Sequence, residues 1–517
     1  MVGNLTRRQM VGGVVGGGAL ATLPGRALAQ RESAIYFRDI LLVDGSGAAP
    51  RRADVAVLGD QIATIAPPGG TAPRNARLIE GEGRVLAPGF IDTHTHGDPL
   101  TQSYDGFLAM GVTTVLLGMD GSGPRLGDDL DLRPWLAAAD RAPLQLNVAT
   151  LASHGTVRRA AAISDSVRRP DDAALARLSA RLDAELAAGA FGLSYGLEYV
   201  PGIYAEAREL ATLGQTVARH GGVVMSHMRS ENDEDIEASI DELITSSNPA
   251  RSHISHLKVV FGKGEARARA LLDYIAAKRR AGIDLTADAY PYNAGYTGIA
   301  LLFPEWALPP TDYAAVVASR RQALRDHLIA RMTRRGGPDA LLIGTEPYAG
   351  KTLAQAAAGA GMHYADFLIR IGPQGGSGAH FTMDEALQGV LVLDSDVAIS
   401  TDGGPGMRHP RATGTYAKLI EHYVVDGKRL SIEQAVRKSA ALPAQILRLP
   451  DRGVVRVGAK ADLILFAPDQ VKARSTYVDP FARAEGFDMV LVNGQLAFEG
   501  GDAVGRSGAL LRSDSRT

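Results

Sequence analysis

The chain has 517 residues, of which 45% are hydrophobic and 22% are charged, and this composition is typical of a globular protein. Its formal net charge is −2 and it has no dense run of Lys or Arg, so nucleic acid and anionic membrane surfaces are not expected partners. An apolar stretch of about 18 residues, as a membrane span requires, is also missing. The chain has no cysteine, so thiolate cannot serve as nucleophile or metal ligand.

The first residues predict an export signal. Twin arginines, Arg7 and Arg8, precede a Gly-rich, mildly apolar segment at 11–23, and Ala27-Leu28-Ala29 has the small-x-small pattern of a cleavage site. This arrangement resembles a Tat signal peptide that is cleaved after residue 29 and sends a folded protein to the periplasm. A disordered tail with chance arginines is the alternative interpretation.

Short apolar runs between Gly, Pro and Asp predict strands at both ends of the chain. The runs are Ile40–Val43, Val55–Leu58, Ile62–Ile65, Asp462–Phe466 and Met489–Val492. The last run is followed by Asn493-Gly494, a typical hairpin turn. We therefore predict one small β-sandwich domain that is formed from residues 30–86 and 452–517.

Between these ends, short apolar strands alternate with helices such as 171–187 and 205–220. This alternation is typical of parallel βα units. We predict an α/β fold, a (β/α)8 TIM-like barrel over residues 87–451. The segment at about 293–344 is too long for an ordinary loop and is predicted to be an insertion.

Histidines and one aspartate follow directly after the predicted strands. In one case, an apolar run ends in Asp92-Thr93-His94-Thr95-His96, where strand alternation points both histidines to one side. A lone histidine at a strand end is more often structural, but the C-terminal strand ends of a barrel all meet at one mouth. The set suits one or two zinc ions. Its members are His94, His96, His227, His256 and Asp402.

A zinc site of this composition can hydrolyse an amide bond. Zinc lowers the pKa of its bound water from 15.7 to about 7, which makes hydroxide available at neutral pH. We expect Asp402 to accept the proton of that water and pass it to the departing nitrogen. A purely ligating role for Asp402 is the simpler alternative.

Longer motifs around these residues resemble one known family. The motifs are Pro88-Gly89-Phe90-Ile91-Asp92-Thr93-His94-Thr95-His96, Gly192-Leu193-Ser194-Tyr195-Gly196-Leu197-Glu198-Tyr199, Ser226-His227-Met228-Arg229-Ser230, Ile254-Ser255-His256-Leu257-Lys258 and Thr286-Ala287-Asp288-Ala289-Tyr290-Pro291-Tyr292. From about residue 33 to 512 the chain is similar to the D-aminoacylase (N-acyl-D-amino-acid deacylase) family of the amidohydrolase superfamily. The His-x-His pair occurs throughout that superfamily, whereas the later motifs are specific to this branch.

The resemblance implies a role for each matching residue. The family holds one zinc tightly through the histidines that match His227 and His256, and a weaker second ion through those that match His94, His96 and Asp402. A lysine, a tyrosine and an arginine hold the α-carboxylate of the substrate in this family. They match Lys258, Tyr290 and Arg411, for which solvated surface positions are the alternative. The predicted insertion is expected beside the barrel mouth, where it could exclude water.

The chain departs from the family at one ligand. Where the family has a cysteine that bridges the two metal sites, this chain has Asp120, in Gly118-Met119-Asp120-Gly121. Carboxylate binds zinc at about the same reach as imidazole, so we predict that Asp120 is the bridging ligand. Glu198 is the second candidate, and a turn-capping role is the alternative for Asp120. Other members of the superfamily use a carbamylated lysine on a middle strand as the bridging ligand. This chain cannot, because Lys258 is its first lysine.

We therefore predict a metal-dependent amidohydrolase that acts on a small-molecule amide, an N-acyl-D-amino acid or a related compound. Two alternatives stay open at this point. One is a cyclic-amide or other amidohydrolase of the dihydroorotase, hydantoinase or dipeptidase kind, because the fold does not decide the substrate. The other is a non-catalytic exported protein that binds a metal or a ligand.

Overall fold

The computed structural model describes residues 34–513. The predicted signal peptide at residues 1–29 lies outside this range. Among the helices of residues 34–513, none combines the length and the hydropathy that a membrane-spanning helix requires.

The strands of the described chain number from β1 to β21. They are β1 (Ala34–Leu42), β2 (Arg51–Leu58), β3 (Gln61–Ala66), β4 (Arg77–Glu80), β5 (Val85–Pro88), β6 (Phe90–Asp92), β7 (Val112–Leu117), β8 (Asn147–Thr150), β9 (Ala152–Ser153), β10 (Gly192–Gly196), β11 (Val223–His227), β12 (Arg251–Ile254), β13 (Leu285–Ala289), β14 (Gly295–Gly298), β15 (Leu341–Ile343), β16 (Ser377–His380), β17 (Val397–Ile399), β18 (Leu463–Phe466), β19 (Phe487–Val492), β20 (Gln495–Glu499) and β21 (Asp502–Ala503).

The α-helices number from α1 to α14. They are α1 (Asp105–Leu108), α2 (Leu132–Ala139), α3 (His154–Ala160), α4 (Asp172–Ala187), α5 (Ala207–Arg219), α6 (Ile236–Ser247), α7 (Gly264–Arg280), α8 (Tyr313–Arg334), α9 (Leu353–Gly359), α10 (Tyr364–Ile371), α11 (Glu385–Leu393), α12 (Arg411–Lys418), α13 (Ile432–Val436) and α14 (Leu442–Leu447). The two helices expected at 171–187 and 205–220 are confirmed as α4 and α5 to within two residues. Asp171 caps α4, because its side chain accepts a hydrogen bond from the backbone N–H of Ala174.

Strands from both ends of the described chain join in one nine-stranded sheet, the terminal sheet. Its order is β21-β20-β19-β18-β5-β1-β2-β3, with β4 paired to β1. The predicted hairpin turn at Asn493-Gly494 is confirmed between β19 and β20, where both residues have positive φ, 49° and 72°. Positive φ at both central residues is the type I′ geometry that suits the twist of the two strands.

Parallel strands from the middle of the chain form the barrel. Their order is β6-β7-β8 in one group and β9-β10-β11-β12-β13-β17 in the other. Strands β8 and β9 are separated only by Leu151, so together they act as one barrel strand with neighbours on both sides. A parallel bridge between Thr95 and Gly403 joins the first and last strand ends. This arrangement confirms the predicted (β/α)8 TIM-like barrel.

A separate unit, residues 295–380, follows β13 and is called the insertion unit here. It contains the antiparallel sheet β14-β16-β15 and the helices α8, α9 and α10. Its apolar side chains form a core of their own, which includes Leu302, Leu324 and Phe367. The segment for which the sequence predicts an insertion, about 293–344, lies at the start of this unit.

Candidate metal centre

Six of the predicted site residues lie at the C-terminal ends of barrel strands. His94 and His96 follow β6, Asp120 follows β7, His227 is the last residue of β11, His256 follows β12 and Asp402 follows β17. Because the strands are parallel, these ends lie on the same face of the barrel. The side chains therefore meet in one place although the residues span more than 300 positions of the sequence.

Three of these residues have an unusual backbone conformation. Asp120, His256 and Asp402 have φ values of 54°, 39° and 47°, in the left-handed region that side chains other than glycine seldom adopt. Such backbone strain is retained where the surrounding structure enforces it, which is common at functional sites. In each case it re-aims a side chain at the point where a strand has just ended.

A first group of potential ligand atoms comes from His94, His96, Asp120 and Asp402, which lie within 4.8 Å of one another. The Nε2 atom of His94 lies 3.4 Å from Asp120 Oδ1 and 3.5 Å from Asp402 Oδ1. The Nε2 atom of His96 lies 3.1 Å from Asp402 Oδ1 and 3.5 Å from Asp120 Oδ2. Two imidazoles thus face two carboxylates across a small gap.

A second group comes from Asp120, His227 and His256. The Nε2 atom of His256 lies 3.5 Å from Asp120 Oδ1 and 2.9 Å from Nδ1 of His227. Asp120 belongs to both groups, which is the arrangement that a bridging ligand requires. Glu198, the second candidate for that position, lies on the far side of His227 and is not part of the two groups.

The distances between the potential ligand atoms can be compared with those around a bound metal ion. Around a tetrahedral zinc with bonds of about 2.1 Å, neighbouring ligand atoms lie about 3.4 Å apart. The separations between His94, His256 and the carboxylates, 3.4–3.5 Å, match this value. Two others are shorter, 3.1 Å between His96 and Asp402 and 2.9 Å between His227 and His256. The Nε2 atom of His94 and Oδ1 of Asp120, which face each other at 3.4 Å, are also buried without a hydrogen-bond partner. Since buried polar atoms are rarely left unpaired, a shared cation is the partner that these atoms lack.

Further carboxylates orient the two histidines of the second group. Glu198 Oε2 lies 3.1 Å from Nε2 of His227, and Glu231 Oε1 lies 3.1 Å from Nδ1 of His256. Lys258 Nζ donates to Glu231 Oε1 at 2.7 Å. These contacts leave Nδ1 of His227 and Nε2 of His256 facing Asp120, as expected where an outer carboxylate fixes the orientation of a ligating imidazole.

A third group of potential ligand atoms consists of Glu198, His227 and Glu231. It shares His227 with the second group, but it uses the opposite ring nitrogen, Nε2, towards Glu198. The contacts of Glu198 and Glu231 with the two histidines explain their closeness without a further ion.

Asp288 connects several barrel strand ends next to the site through hydrogen bonds. Its carboxylate accepts hydrogen bonds from the backbone N–H of His256 at 2.7 Å and from the hydroxyls of Thr93 and Ser400 at 2.7 and 3.0 Å. His253 Nε2 lies 2.9 Å from the same carboxylate. Burial would raise the pKa of Asp288, but His253 and these hydrogen bonds hold it well below its ordinary value. The ionised carboxylate thereby fixes the peptide that carries His256.

Asp402 carries a negative charge in the site. Burial would raise its pKa, but Arg411, followed by His94 and His256, holds the pKa of Asp402 far below its ordinary value. The Nη1 atom of Arg411 lies 2.8 Å from Oδ2 of Asp402. Oδ2 is therefore directed to the guanidinium, and Oδ1 is directed to His94 and His96.

The three residues predicted to bind a substrate carboxylate are buried side by side. Lys258, Tyr290 and Arg411 are 6%, 0% and 1% exposed, so the solvated-surface alternative is wrong for all three. The guanidinium of Arg411 lies 4.7 Å and the ammonium of Lys258 lies 6.0 Å from the centre of the Tyr290 ring. Two cations and one phenol thus border the same space beside Asp402.

The site opens into a cleft with two arms. The wide arm is a cavity of about 600 Å³ bordered by His96, Asp98, Arg125, His154 and Met407, among others. The narrow arm is bordered by Glu198, Lys258, Tyr290, Arg335, His380 and Arg411, among others. Asp120, Tyr199, Tyr296 and Thr297 border both arms, so the metal-binding groups lie where the arms meet.

Three residues of the site were missed by sequence reasoning. Asp288 lies near the end of β13, so the rule that identified Asp402, a carboxylate at a strand end, also applies to it. Glu231 lies in a loop four residues after His227, where no periodic pattern marks it. Arg335 follows α8 in the insertion unit, and nothing in the local sequence distinguishes it from its neighbours Arg331 and Arg334.

The geometry defines a class of protein: a parallel α/β barrel with a cluster of histidines and carboxylates at its mouth. A model of the amidohydrolase family matches residues 77–498. The chain is 32% identical over 498 residues to N-acyl-D-glutamate deacylase from Alcaligenes xylosoxydans xylosoxydans, covering 92% of this chain and 95% of the relative. It is 30% identical over 481 residues to D-aminoacylase from the same organism, with coverages of 88% and 92%.

Solved structures of related deacylases resemble this chain over almost its whole length. N-acyl-D-glutamate deacylase from Bordetella bronchiseptica, in complex with zinc and a phosphonate inhibitor, matches with a TM-score of 0.80 and 30% identity, covering 93% of this chain and 100% of that one. A D-aminoacylase structure matches with a TM-score of 0.79 and 29% identity, covering 92% and 99%. The chain belongs to the D-aminoacylase branch of the amidohydrolase family, whose members are metal-dependent enzymes acting on C–N bonds other than peptide bonds.

Proposed function

We propose that this protein is a zinc-dependent deacylase of N-acyl-D-amino acids. The observation that carries the proposal is the pair of ligand groups that share Asp120 at the barrel mouth. The relatives support the choice of substrate, since N-acyl-D-glutamate deacylase, N-acyl-D-aspartate deacylase and D-aminoacylase all resemble this chain over most of its length.

The residues of this chain divide between two ions in the proposal. His227, His256 and Asp120 would hold the first ion, and His94, His96 and Asp402 would hold a second one together with Asp120. When bound, zinc supplies a water of lowered pKa and polarises the carbonyl of the amide.

Asp402 moves the proton. Its Oδ1 atom faces His94 and His96 and accepts the proton of the attacking water, and it then donates this proton to the leaving nitrogen. Arg411 keeps the carboxylate ionised before the reaction, because its Nη1 atom lies 2.8 Å from Oδ2. An amine cannot leave the tetrahedral intermediate without this protonation, so the residue acts in both halves of the reaction.

The amino-acid part of the substrate occupies the narrow arm. Lys258, Tyr290 and Arg411 offer an ammonium, a hydroxyl and a guanidinium to its α-carboxylate. The acyl group then extends into the wide arm, which at about 600 Å³ has room for groups larger than acetyl.

The decisive experiment is a screen of the zinc-loaded protein against paired N-acetyl-D- and N-acetyl-L-amino acids, with release of the amine as the readout. Hydrolysis of the D series alone is expected. Hydrolysis of the L series alone contradicts the stereochemical part of the proposal. Activity on cyclic amides without activity on either series would assign the protein to the hydantoinase-like alternative.

We also propose export to the periplasm, which is supported by the twin arginines and the small-x-small site at the start of the chain. Cell fractionation of the full-length protein tests this. Replacing Arg7 and Arg8 by lysine should retain the protein in the cytoplasm. An unchanged distribution contradicts the proposal.

A further inference from the structure

The narrow arm contains a buried cation that the proposed reaction does not use. Arg335 immediately follows α8, borders the narrow arm and is only 7% exposed. Its Nε atom is buried without a hydrogen-bond partner, and among residues 34–513 no carboxylate lies within salt-bridge distance of its guanidinium. The guanidinium lies over the face of Phe261, whose ring centre is 5.9 Å from Cζ.

The other two cations of the narrow arm are paired. The Nζ atom of Lys258 lies 2.7 Å from Oε1 of Glu231, and Nη1 of Arg411 lies 2.8 Å from Oδ2 of Asp402. Arg335 therefore differs from both in having no counter-ion within the described chain. A buried charge without a partner destabilises a protein, so a partner supplied by a ligand is the arrangement that accounts for it.

Glu198 borders the same arm but does not meet this need. Its Oε2 atom is 3.1 Å from Nε2 of His227, and its Oε1 atom is 4.0 Å from Nη2 of Arg331. Burial lowers the pKa of Arg335 to about 10, while Glu198 and Glu231 act on it only at longer range. The guanidinium thus stays charged at neutral pH.

A second unpartnered polar atom lies in the same arm. His380, at the end of β16, is 2% exposed, and its Nε2 atom has no hydrogen-bond partner. Burial, with the charges of Arg335 and Arg331, holds its pKa well below the ordinary value, so the ring is neutral. A charged guanidinium and a neutral imidazole therefore both border the narrow arm.

We propose that Arg335 binds a carboxylate on the side chain of the substrate, so that the preferred substrate is an N-acyl amino acid with an acidic side chain. This inference rests on the proposed function. With the α-carboxylate at Lys258, Tyr290 and Arg411 and the acyl group in the wide arm, the side chain of the amino-acid part remains in the narrow arm. Arg335, the unpaired cation that borders this arm, is then available to bind a carboxylate on that side chain. A guanidinium suits a carboxylate, because its N–H groups match the two oxygens.

The test compares two substrates that differ only in one charge. N-acetyl-D-glutamate and N-acetyl-D-glutamine have nearly the same shape, but only the first carries a side-chain carboxylate. The zinc-loaded protein is expected to prefer the glutamate compound in kcat/KM by roughly tenfold to a hundredfold, the range for a charge-assisted hydrogen bond. Arg335→Met should abolish this preference by lowering kcat/KM for the glutamate compound alone.

The controls separate this role from others. Arg334→Met removes a neighbouring charge that is paired with exposed Glu234 and should leave the preference unchanged. Arg335→Gln is a second neutral variant if the Met variant does not fold. A wild-type preference close to one overturns the inference. An equal loss for both substrates in Arg335→Met also overturns it, because the residue then acts on a part that both substrates share.

Binding of the free amino acids makes the inference testable without turnover. In calorimetry with the zinc-loaded protein, D-glutamate should bind at least about tenfold more tightly than D-glutamine, and Arg335→Met should remove the difference. If neither acetylated substrate is hydrolysed, the proposed function fails, and this measurement decides the inference separately. Equal affinities of the wild-type protein for the two amino acids overturn it.

Discussion

At Asp120 a carboxylate lies between two sets of imidazoles and replaces the cysteine that the sequence comparison led us to expect. Its Oδ1 atom is 3.4 Å from His94 and 3.5 Å from His256 and has no hydrogen-bond partner. Burial would raise its pKa, but His94 and His256 hold the pKa of Asp120 well below its ordinary value. An ionised carboxylate can bridge two ions, although it binds zinc less strongly than thiolate does.

The first prediction concerns this ligand. Asp120→Ala should lower zinc affinity and activity together, whereas Asp120→Cys should bind zinc at least as tightly as the wild-type protein, because thiolate is the softer ligand. Metal content measured by elemental analysis and turnover of N-acetyl-D-amino acids provide the readouts. Asp120→Asn is the matched control, because asparagine tolerates the φ of 54° at this position equally well. If Asp120→Asn keeps both metal and turnover, Asp120 only shapes the turn.

The second prediction separates binding from proton transfer at Asp402. Asp402→Asn should retain the ion held by His227, His256 and Asp120, while kcat falls by a factor of at least about 100, the usual scale for general acid–base catalysis. The amide cannot accept the proton of the water, yet it has the same shape as the carboxylate. Elemental analysis and steady-state kinetics on one preparation check both parts. Near-normal turnover with full metal content would contradict the proton-transfer role.

At the scale of elements, close packing between strand ends positions the ligands. Gly196 ends β10, and a methyl group at its Cα would overlap the carbonyl oxygen of Asp120 and lie 2.6 Å from the carbonyl carbon. Only glycine lets β10 approach the turn that carries Asp120 so closely. The position of one metal ligand therefore depends on a residue that has no side chain.

The third prediction follows from this contact. Gly196→Ala should push Asp120 away from the histidines and lower zinc affinity, with a destabilisation of about 1–3 kcal/mol from overpacking. Gly359→Ala is the control, since a methyl group there meets nothing within 4 Å. Zinc titration and thermal unfolding of both variants give the comparison. Unchanged zinc affinity in Gly196→Ala would show that the turn can shift without loss of the ligand.

Elements that depend on local sequence could be predicted, whereas those that depend on distant pairing could not. Helix α4 was predictable because Asp171 caps it and its apolar residues recur with helical spacing. The extent of the insertion unit was not, because β16 is defined by antiparallel pairing with β14 and β15, far away in sequence. Local patterns do not encode such pairings.

At the scale of the whole molecule, the barrel makes the metal ligands predictable. Residues such as His227 and Asp402 end apolar strands, and parallel strands bring all such ends to one face, so the cluster follows from the fold class. Glu231 and Arg335 could not be found in this way. The first lies in a loop and the second at the end of a helix in the insertion unit, and only the folded chain brings them to the cleft.

The last prediction follows from the distribution of the ligands over distant strands. Zinc that binds only the folded state stabilises it by about 4 kcal/mol at a concentration about 1,000 times its Kd. Unfolding entropy of roughly 2.1 cal/mol/K per residue gives roughly 1 kcal/mol/K for this chain, so Tm should rise by roughly 4 °C when zinc is restored to chelator-treated protein. Calorimetry measures the shift. In His256→Ala, which lacks a ligand of the first ion, the shift should be much smaller. An equal rise in the variant and the wild-type protein would mean that zinc stabilises the fold at another place.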